Sequence, residues 1–178
     1  MIQQEIPFFV PFYIINVNNW EQKKQLLLNL PDFSNKSCYK SEQFTDYHKK
    51  DRSYLNEFMS ILEEDIYKFI EISERNWSID SVWCQRYWKD HMMGIHNHGP
   101  IGFSCILYAE FDKSVHEKTI FLQPFGSFDE GITVDYVPEI DEGDILIFPS
   151  VINHYVKPSV VEKQRTIFAW NMKENKND

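Results

Sequence analysis

The sequence predicts a mainly β fold of sandwich or barrel type, with helices from its N-terminal part packed on one face. Three observations carry that expectation. From residue 79 the apolar pattern breaks into short runs, SVWCQRYW, GIHNH, FSCILYAEF, TIFLQPF, ITVDYVP, DILIFPS, HYVKPSV and RTIFAWNM, separated by Gly, Pro and Asp turns. Before them, one long stretch repeats apolar residues at three- and four-residue steps, the period of a helix. With 178 residues, 43% of them hydrophobic and 16% aromatic, the chain has material for one sizeable core and is too apolar to be disordered. No repeat, low-complexity segment or Gly/Ser linker divides it. Residues 1–178 are therefore expected to form one domain, with 1–78 its helical part and 79–178 its β part.

The elements follow in order. In NNWEQKKQLLLNLPDF, Asn18 or Asn19 is a candidate N-cap for a short helix that must end before Pro31. In DRSYLNEFMSILEEDIYKFIEISE, Tyr54, Leu55, Phe58, Ile61, Leu62, Ile66 and Phe69 form one broad apolar face, with Asp51 or Ser53 as candidate cap. That aromatic stripe reads as core packing. In the β part, DEGD at 141–144 reads as a tight turn into the buried strand ILIF. The acidic stretches 112–118 and 126–131 read as solvated loops.

Charge and cysteines narrow the function. A formal net charge of −9 argues against non-specific nucleic-acid binding, which depends on Lys and Arg neutralising phosphates. The one basic run, Lys49, Lys50 and Arg52, is interrupted by Asp51. The N-terminus lacks the basic start of a signal peptide, Pro7 and Pro11 break any apolar helix there, and no run approaches a membrane span. Cys38, Cys84 and Cys105 are odd in number and lack CxxC spacing, which fits reduced thiols and a cytoplasmic location (the host cytoplasm if the chain is phage-encoded).

The chemistry gathers in HMMGIHNHGP, residues 91–100. His96 and His98 are two apart, so on a strand they share a face, and two neutral imidazoles are half of a metal site. His154, after the strand GDILIFPS and a Pro-Ser turn, is the best third ligand, because a β-sandwich brings strands distant in sequence side by side. His91 and His116 read as loop residues. Further on, Arg165, Ile167, Ala169 and Asn171 share one face of RTIFAWNM. An arginine facing an apolar interior is costly unless an anion meets it, and its planar guanidinium suits a carboxylate.

The order HxH, then EGDILIFPSVINH, then RTIFAWN resembles the iron(II)/2-oxoglutarate-dependent oxygenases, in particular the short members found in marine bacteriophages and bacteria. The similarity extends from the helix at 53–72 through YWKD and HNHGP to RTIFAWN. It implies a double-stranded β-helix (jelly-roll) core and a metal site of His96, His98 and His154. It further implies Fe(II), 2-oxoglutarate and O2 as cofactor and co-substrates, with Arg165 holding the far carboxylate of 2-oxoglutarate. Tyr108, facing inward beside Ser104 and Ile106, matches a tyrosine that supports that carboxylate in many members; Tyr87 is a weaker candidate for the same pocket. The implied activity is that of a hydroxylase.

One departure stands out: the family's usual motif has a carboxylate where this chain has His98, which leaves the site one unit more positive. Glu110 and Asp112 lie further along the next strand, and strand geometry does not obviously bring them to the metal. A cupin-like three-His enzyme without 2-oxoglutarate, or a non-catalytic jelly-roll module, are the other readings; the Glu that follows HxH in cupins is absent. The expected partner is a small-molecule or peptide substrate, with neither nucleic acid nor membrane, and the sequence does not indicate an oligomeric state.

Overall fold

The computed structural model describes residues 10–33, 44–49, 53–126 and 131–175. Cys38, the N-terminal segment through Phe9, Lys50 to Arg52 and residues 127–130 lie outside them. The elements run β1 (Tyr13–Asn16), α1 (Trp20–Leu28), β2 (Phe44–Thr45), α2 (Leu55–Ser73), β3 (Trp77–Ser78) and β4 (Val82–Tyr87). They continue with β5 (Met93–His96), β6 (Gly102–Glu110), β7 (Ile120–Leu122), β8 (Asp135–Tyr136), β9 (Asp144–Pro149), β10 (His154–Val156) and β11 (Arg165–Glu174).

Two antiparallel sheets form the core. The larger runs β1-β9-β6-β11-β4-β2, with β3 also paired to β11; the smaller runs β5-β10-β7-β8. Sequence neighbours such as β5 and β6 fall in different sheets, which is the jelly-roll pattern that joins distant segments.

The central strands read as almost continuous apolar runs because both of their faces are buried. On β6, Cys105, Leu107 and Ala109 pack with Phe58, Leu62, Ile66 and Phe69 of α2. The intervening Ile106 and Tyr108 face the smaller sheet, with Phe121, Phe148 and Ile152. The same alternation on β11 sends Phe168 and Trp170 to the helix side, where Phe58 lies 5.4 and 5.3 Å from their rings, and Ile167 to the inter-sheet side. The apolar stripe of α2 is core, as its period requires.

The helix ends differ from the sequence expectation. Asn19 is the N-cap of α1, but in the left-handed region (φ 54) and without a side-chain cap bond. Its carbonyl instead receives the N–H of Gln22 at 3.0 Å. Helix α2 begins at Leu55 after Tyr54 and also lacks a side-chain cap, so Ser53 does not serve. What anchors α2 is Asp65, fully buried and held by Lys23 Nζ (2.6 Å), Lys68 Nζ (2.8 Å) and the backbone N–H of Asn18 (3.0 Å). Burial opposes its charge, but these donors outweigh burial and hold its carboxyl below the usual range.

The N-terminal part is not wholly helical. Residues 13–16 form an edge strand paired with β9, from Tyr13 opposite Ile147 to Asn16 opposite Asp144. A four-residue strand after two prolines leaves too short a pattern to read. The DEGD turn is as expected, and Gly143 needs its glycine: φ is 87, and a Cβ would stand 2.7 Å from the Trp20 ring. No described helix is long and apolar enough to cross a membrane. Cys84 and Cys105 are buried free thiols.

Candidate metal centre

The smaller sheet brings two histidines face to face. His96 ends β5, His154 opens β10, and the two are direct partners in the antiparallel register. His98 is not on the strand, as the HxH spacing suggested, because β5 stops at His96. The chain stays extended enough to keep both rings on one side, and the backbone N–H of His98 is tied to the carbonyl of Ser150 at 2.8 Å. Asn97 turns away and donates to Asn153 Oδ1 at 2.8 Å. Ring centroids are 4.2 Å apart for His96 and His154, 5.4 Å for His96 and His98, and 5.3 Å for His98 and His154. One nitrogen from each ring lies within 4.8 Å of the others. A metal with bonds of about 2.0–2.1 Å to nitrogen would draw them closer.

Each ring's other nitrogen has an oxygen acceptor. Nδ1 of His96 is 2.8 Å from the carbonyl of Gly94, Nδ1 of His154 is 3.0 Å from that of Ile152, and Nδ1 of His98 is 2.8 Å from Oδ1 of Asn171. The proton in each case belongs on Nδ1, which leaves three Nε2 lone pairs for one cation. Burial, with a smaller contribution from its two neighbours, pushes His154 down to about 3. Burial and His96 likewise lower His98, against the hydrogen bond to Asn171. Three imidazoles whose Nε2 lone pairs converge fit a divalent transition metal.

A narrow inner chamber of about 30 Å³ leads inward between the sheets, lined by Gln85, Tyr87, Met93, Thr119, Ile106 and Ile167. Behind it lies Arg165, 3% exposed. Its Nη2 donates to Thr119 Oγ1 at 3.3 Å, while Nε and Nη1 are buried without a hydrogen-bond partner. Aromatic rings flank it: Cζ is 4.9 Å from the Tyr87 ring and 5.5 Å from that of Tyr108. No acidic group pairs with it among the described residues. Thr119 Oγ1 also accepts the Tyr108 hydroxyl at 2.9 Å, and the Tyr87 hydroxyl donates to Gln85 Oε1 at 3.0 Å. A buried guanidinium with two unpaired donors fits a carboxylate arriving from outside.

On the other side of the histidines an outer cleft of about 450 Å³ opens to solvent, bordered by Tyr47, His48, Trp83, Ile101 and Asn171. Gln85 and Met93 line both spaces.

Of the six residues singled out in the sequence, His96, His98, His154 and Tyr87 line the inner chamber, while Arg165 and Tyr108 sit behind it and reach its lining through Thr119; the other candidates lie apart. Glu110 is engaged by Gln164 and Thr166, and Asp112 by Lys163 at 2.6 Å. His116 bridges the Asp112 N–H and the Lys163 carbonyl, and His91 packs on Trp88. Sequence reading missed Thr119, Gln85, and the relay in which Ser104 donates to Asn171 Oδ1 at 2.8 Å and meets Ser150 at 2.9 Å. Ser104 and Asn171 stood on inward faces by strand alternation, which was the available signal; nothing local marks Thr119 or Gln85.

The jelly-roll thus combines three converging histidines that could hold one metal ion with a buried arginine that has no acidic partner among the described residues. Residues 81–171 match the family model described as "Putative 2OG-Fe(II) oxygenase". That stretch is half of the chain, and the chain belongs to this 2OG-Fe(II) oxygenase family. No curated protein sequence matches. Among solved structures, the viral collagen prolyl hydroxylase vCPH from Paramecium Bursaria Chlorella virus-1, in complex with 2OG, is similar at 12% identity and TM-score 0.61, over 93% of this chain and 96% of that one. HygX from Streptomyces hygroscopicus with nickel, 2-oxoglutarate and hygromycin B bound is similar at 11% identity and TM-score 0.66, over 92% and 83%. A 2OG-Fe(II) oxygenase family oxidoreductase from Burkholderia pseudomallei has 14% identity and TM-score 0.52 over 66% of this chain, which spans little more than half (55%) of that protein. At these identities the likeness is one of fold.

Proposed function

We propose that His96, His98 and His154 hold Fe(II) and that Arg165 holds the far carboxylate of 2-oxoglutarate, making the chain a hydroxylase. The observation that carries this is the Arg165 guanidinium, buried against Thr119 and Tyr87, which line the same chamber as the three histidines, with Nε and Nη1 without a hydrogen-bond partner. Bound there, Fe(II) with 2-oxoglutarate and O2 supplies the oxidising chemistry, in which the co-substrate becomes succinate and CO2 and a C–H bond of the substrate is hydroxylated.

The chain's own residues bind, orient and shield. The carbonyls of Gly94 and Ile152 and the amide of Asn171 fix the ring orientations. Arg165 and Thr119 provide donors at the closed end, with the Tyr108 hydroxyl supporting Thr119. Phe121 and Phe148 flank His154, their ring centroids 5.5 and 4.9 Å from its own, and keep water from that side. The inner chamber must widen to admit a five-carbon dicarboxylate, and Met93, unbranched and shared by both spaces, is the side chain suited to yield. The substrate, a small molecule or peptide rather than a nucleic acid, enters by the outer cleft. A reducing cytoplasm suits both Fe(II) and the free thiols.

The test is titration of 2-oxoglutarate into anaerobic Fe(II)-loaded protein, followed by admission of air with ascorbate. Binding and slow succinate formation without substrate are expected. Neither binding nor succinate would shift the reading to a cupin-like three-His enzyme.

A further inference from the structure

Two amides that line the outer cleft, Gln85 and Asn171, present chiefly donors to it. Gln85, 7% exposed, has its Oε1 occupied by the Tyr87 hydroxyl at 3.0 Å. Asn171 has its Oδ1 occupied twice, by His98 Nδ1 and by Ser104 Oγ, each at 2.8 Å. An amide offers two donors and one oxygen acceptor, so both side chains have chiefly N–H left to present to a ligand.

Charge points the same way. A divalent cation and the dianion of 2-oxoglutarate cancel, three neutral imidazoles add nothing, and Arg165 leaves one positive charge. No Asp or Glu is among the described residues that line either space. A positive charge in a partly dry site is costly until an anion approaches. Beside these donors, Trp83 and Tyr47 meet edge to face at 5.2 Å and offer an apolar wall.

We propose that the substrate carries an anionic group, a carboxylate or phosphate monoester, which sits against the amide N–H groups of Gln85 and Asn171. Its apolar body lies along Trp83 and Tyr47. This rests on the metal and co-substrate reading above and narrows it: an amine would meet donors and a like charge, and is rejected.

The experiment uses Co(II)-loaded protein saturated with 2-oxoglutarate, titrated with benzoate, phenyl phosphate and benzamide, and read by Co(II) absorption and calorimetry. At least one anion is expected to bind ten-fold or more tighter than benzamide, and which anion does so separates carboxylate from phosphate. Gln85→Glu, which alters no metal ligand, should bring that ratio to one or below. Gln85→Leu should weaken the preferred anion about ten-fold. Benzamide binding as tightly as both anions, or a ratio unchanged in both variants, overturns the proposal. Failure of all three probes to bind while 2-oxoglutarate binds also overturns it, and leaves the metal and co-substrate reading standing. A protein that takes up no 2-oxoglutarate fails at that earlier reading.

Discussion

His98 Nδ1 lies 2.8 Å from Asn171 Oδ1, a contact that joins positions 73 residues apart. Because Ser104 donates to the same oxygen, its partner Ser150 must donate to Ser104, and the relay runs in one direction into the amide. The orientation of the amide is thereby set, and with it the tautomer of His98. The histidine that stands in the carboxylate's place therefore has its own support in the larger sheet.

Asn171→Leu removes that acceptor while keeping the same branched heavy-atom skeleton, in a somewhat larger side chain. Losing a partner that orients a metal-bound histidine is expected to lower metal affinity about 10- to 100-fold, measured by competition with a chromophoric chelator. Asn171→Asp keeps an acceptor and should retain most of the affinity. Equal affinities in wild type and Asn171→Leu would show that His98 needs no such support.

His96→Ala and His154→Ala each remove one of three ligands, and metal content after anaerobic loading is expected to fall sharply in both. His98→Asp should keep its metal, since it supplies an anionic oxygen at the same place. Iron analysis decides: a full equivalent in both alanine variants would place the site elsewhere.

Arg165→Ala is expected to cost on the order of 2–5 kcal/mol of 2-oxoglutarate binding, roughly thirty-fold to several-thousand-fold in affinity. Lys at 165 should recover only part, lacking the guanidinium fork. Tyr108 donates to Thr119 rather than standing free, so Tyr108→Phe acts through Thr119 and should cost about 1 kcal/mol or less. Unchanged affinity in Arg165→Ala would rule out the anion hook.

The metal-free protein should lose stability in acid through His154. Burial lowers its folded value from 6.5 to about 3, so between those limits the unfolded chain takes up a proton that the folded one refuses. Stability is then greatest above pH 6.5 and falls toward pH 3, by up to about 1.4 kcal/mol per pH unit. His98, lowered too, acts in the same direction. Thermal melting of the metal-free protein at pH 7 and pH 5 should show the drop, smaller in His154→Phe. An equal drop in both would mean that other groups carry it.

Much of the fold was legible because its strands are punctuated. All eight runs after residue 79 became strands, with Gly, Pro and Asp at their boundaries. The helix at 55–73 was legible from its period. Short pairings were not: β1, β2 and β3 have four, two and two residues; β1 and β2 exist because the edges of a larger sheet accept them, and β3 because the end of β11 runs on past β4. His98 shows the same limit. Spacing put it on a strand, whereas the strand ends two residues earlier and a hydrogen bond to Ser150 sets its position.

By itself the sequence determined the kinds of residue and their order: the HxH pair, a histidine after a buried strand, and an arginine facing inward by alternation. Those are local properties, set by a two-residue period and by the cost of burying charge. Only the tertiary structure decided that His96 and His154 stand opposite each other across two strands. It also decided that Thr119 stands between Tyr108 and Arg165, and that Asn171 turns its oxygen to His98. These contacts depend on which strands become neighbours and in what register, and register comes from the packing of both sheet faces together rather than from any single segment.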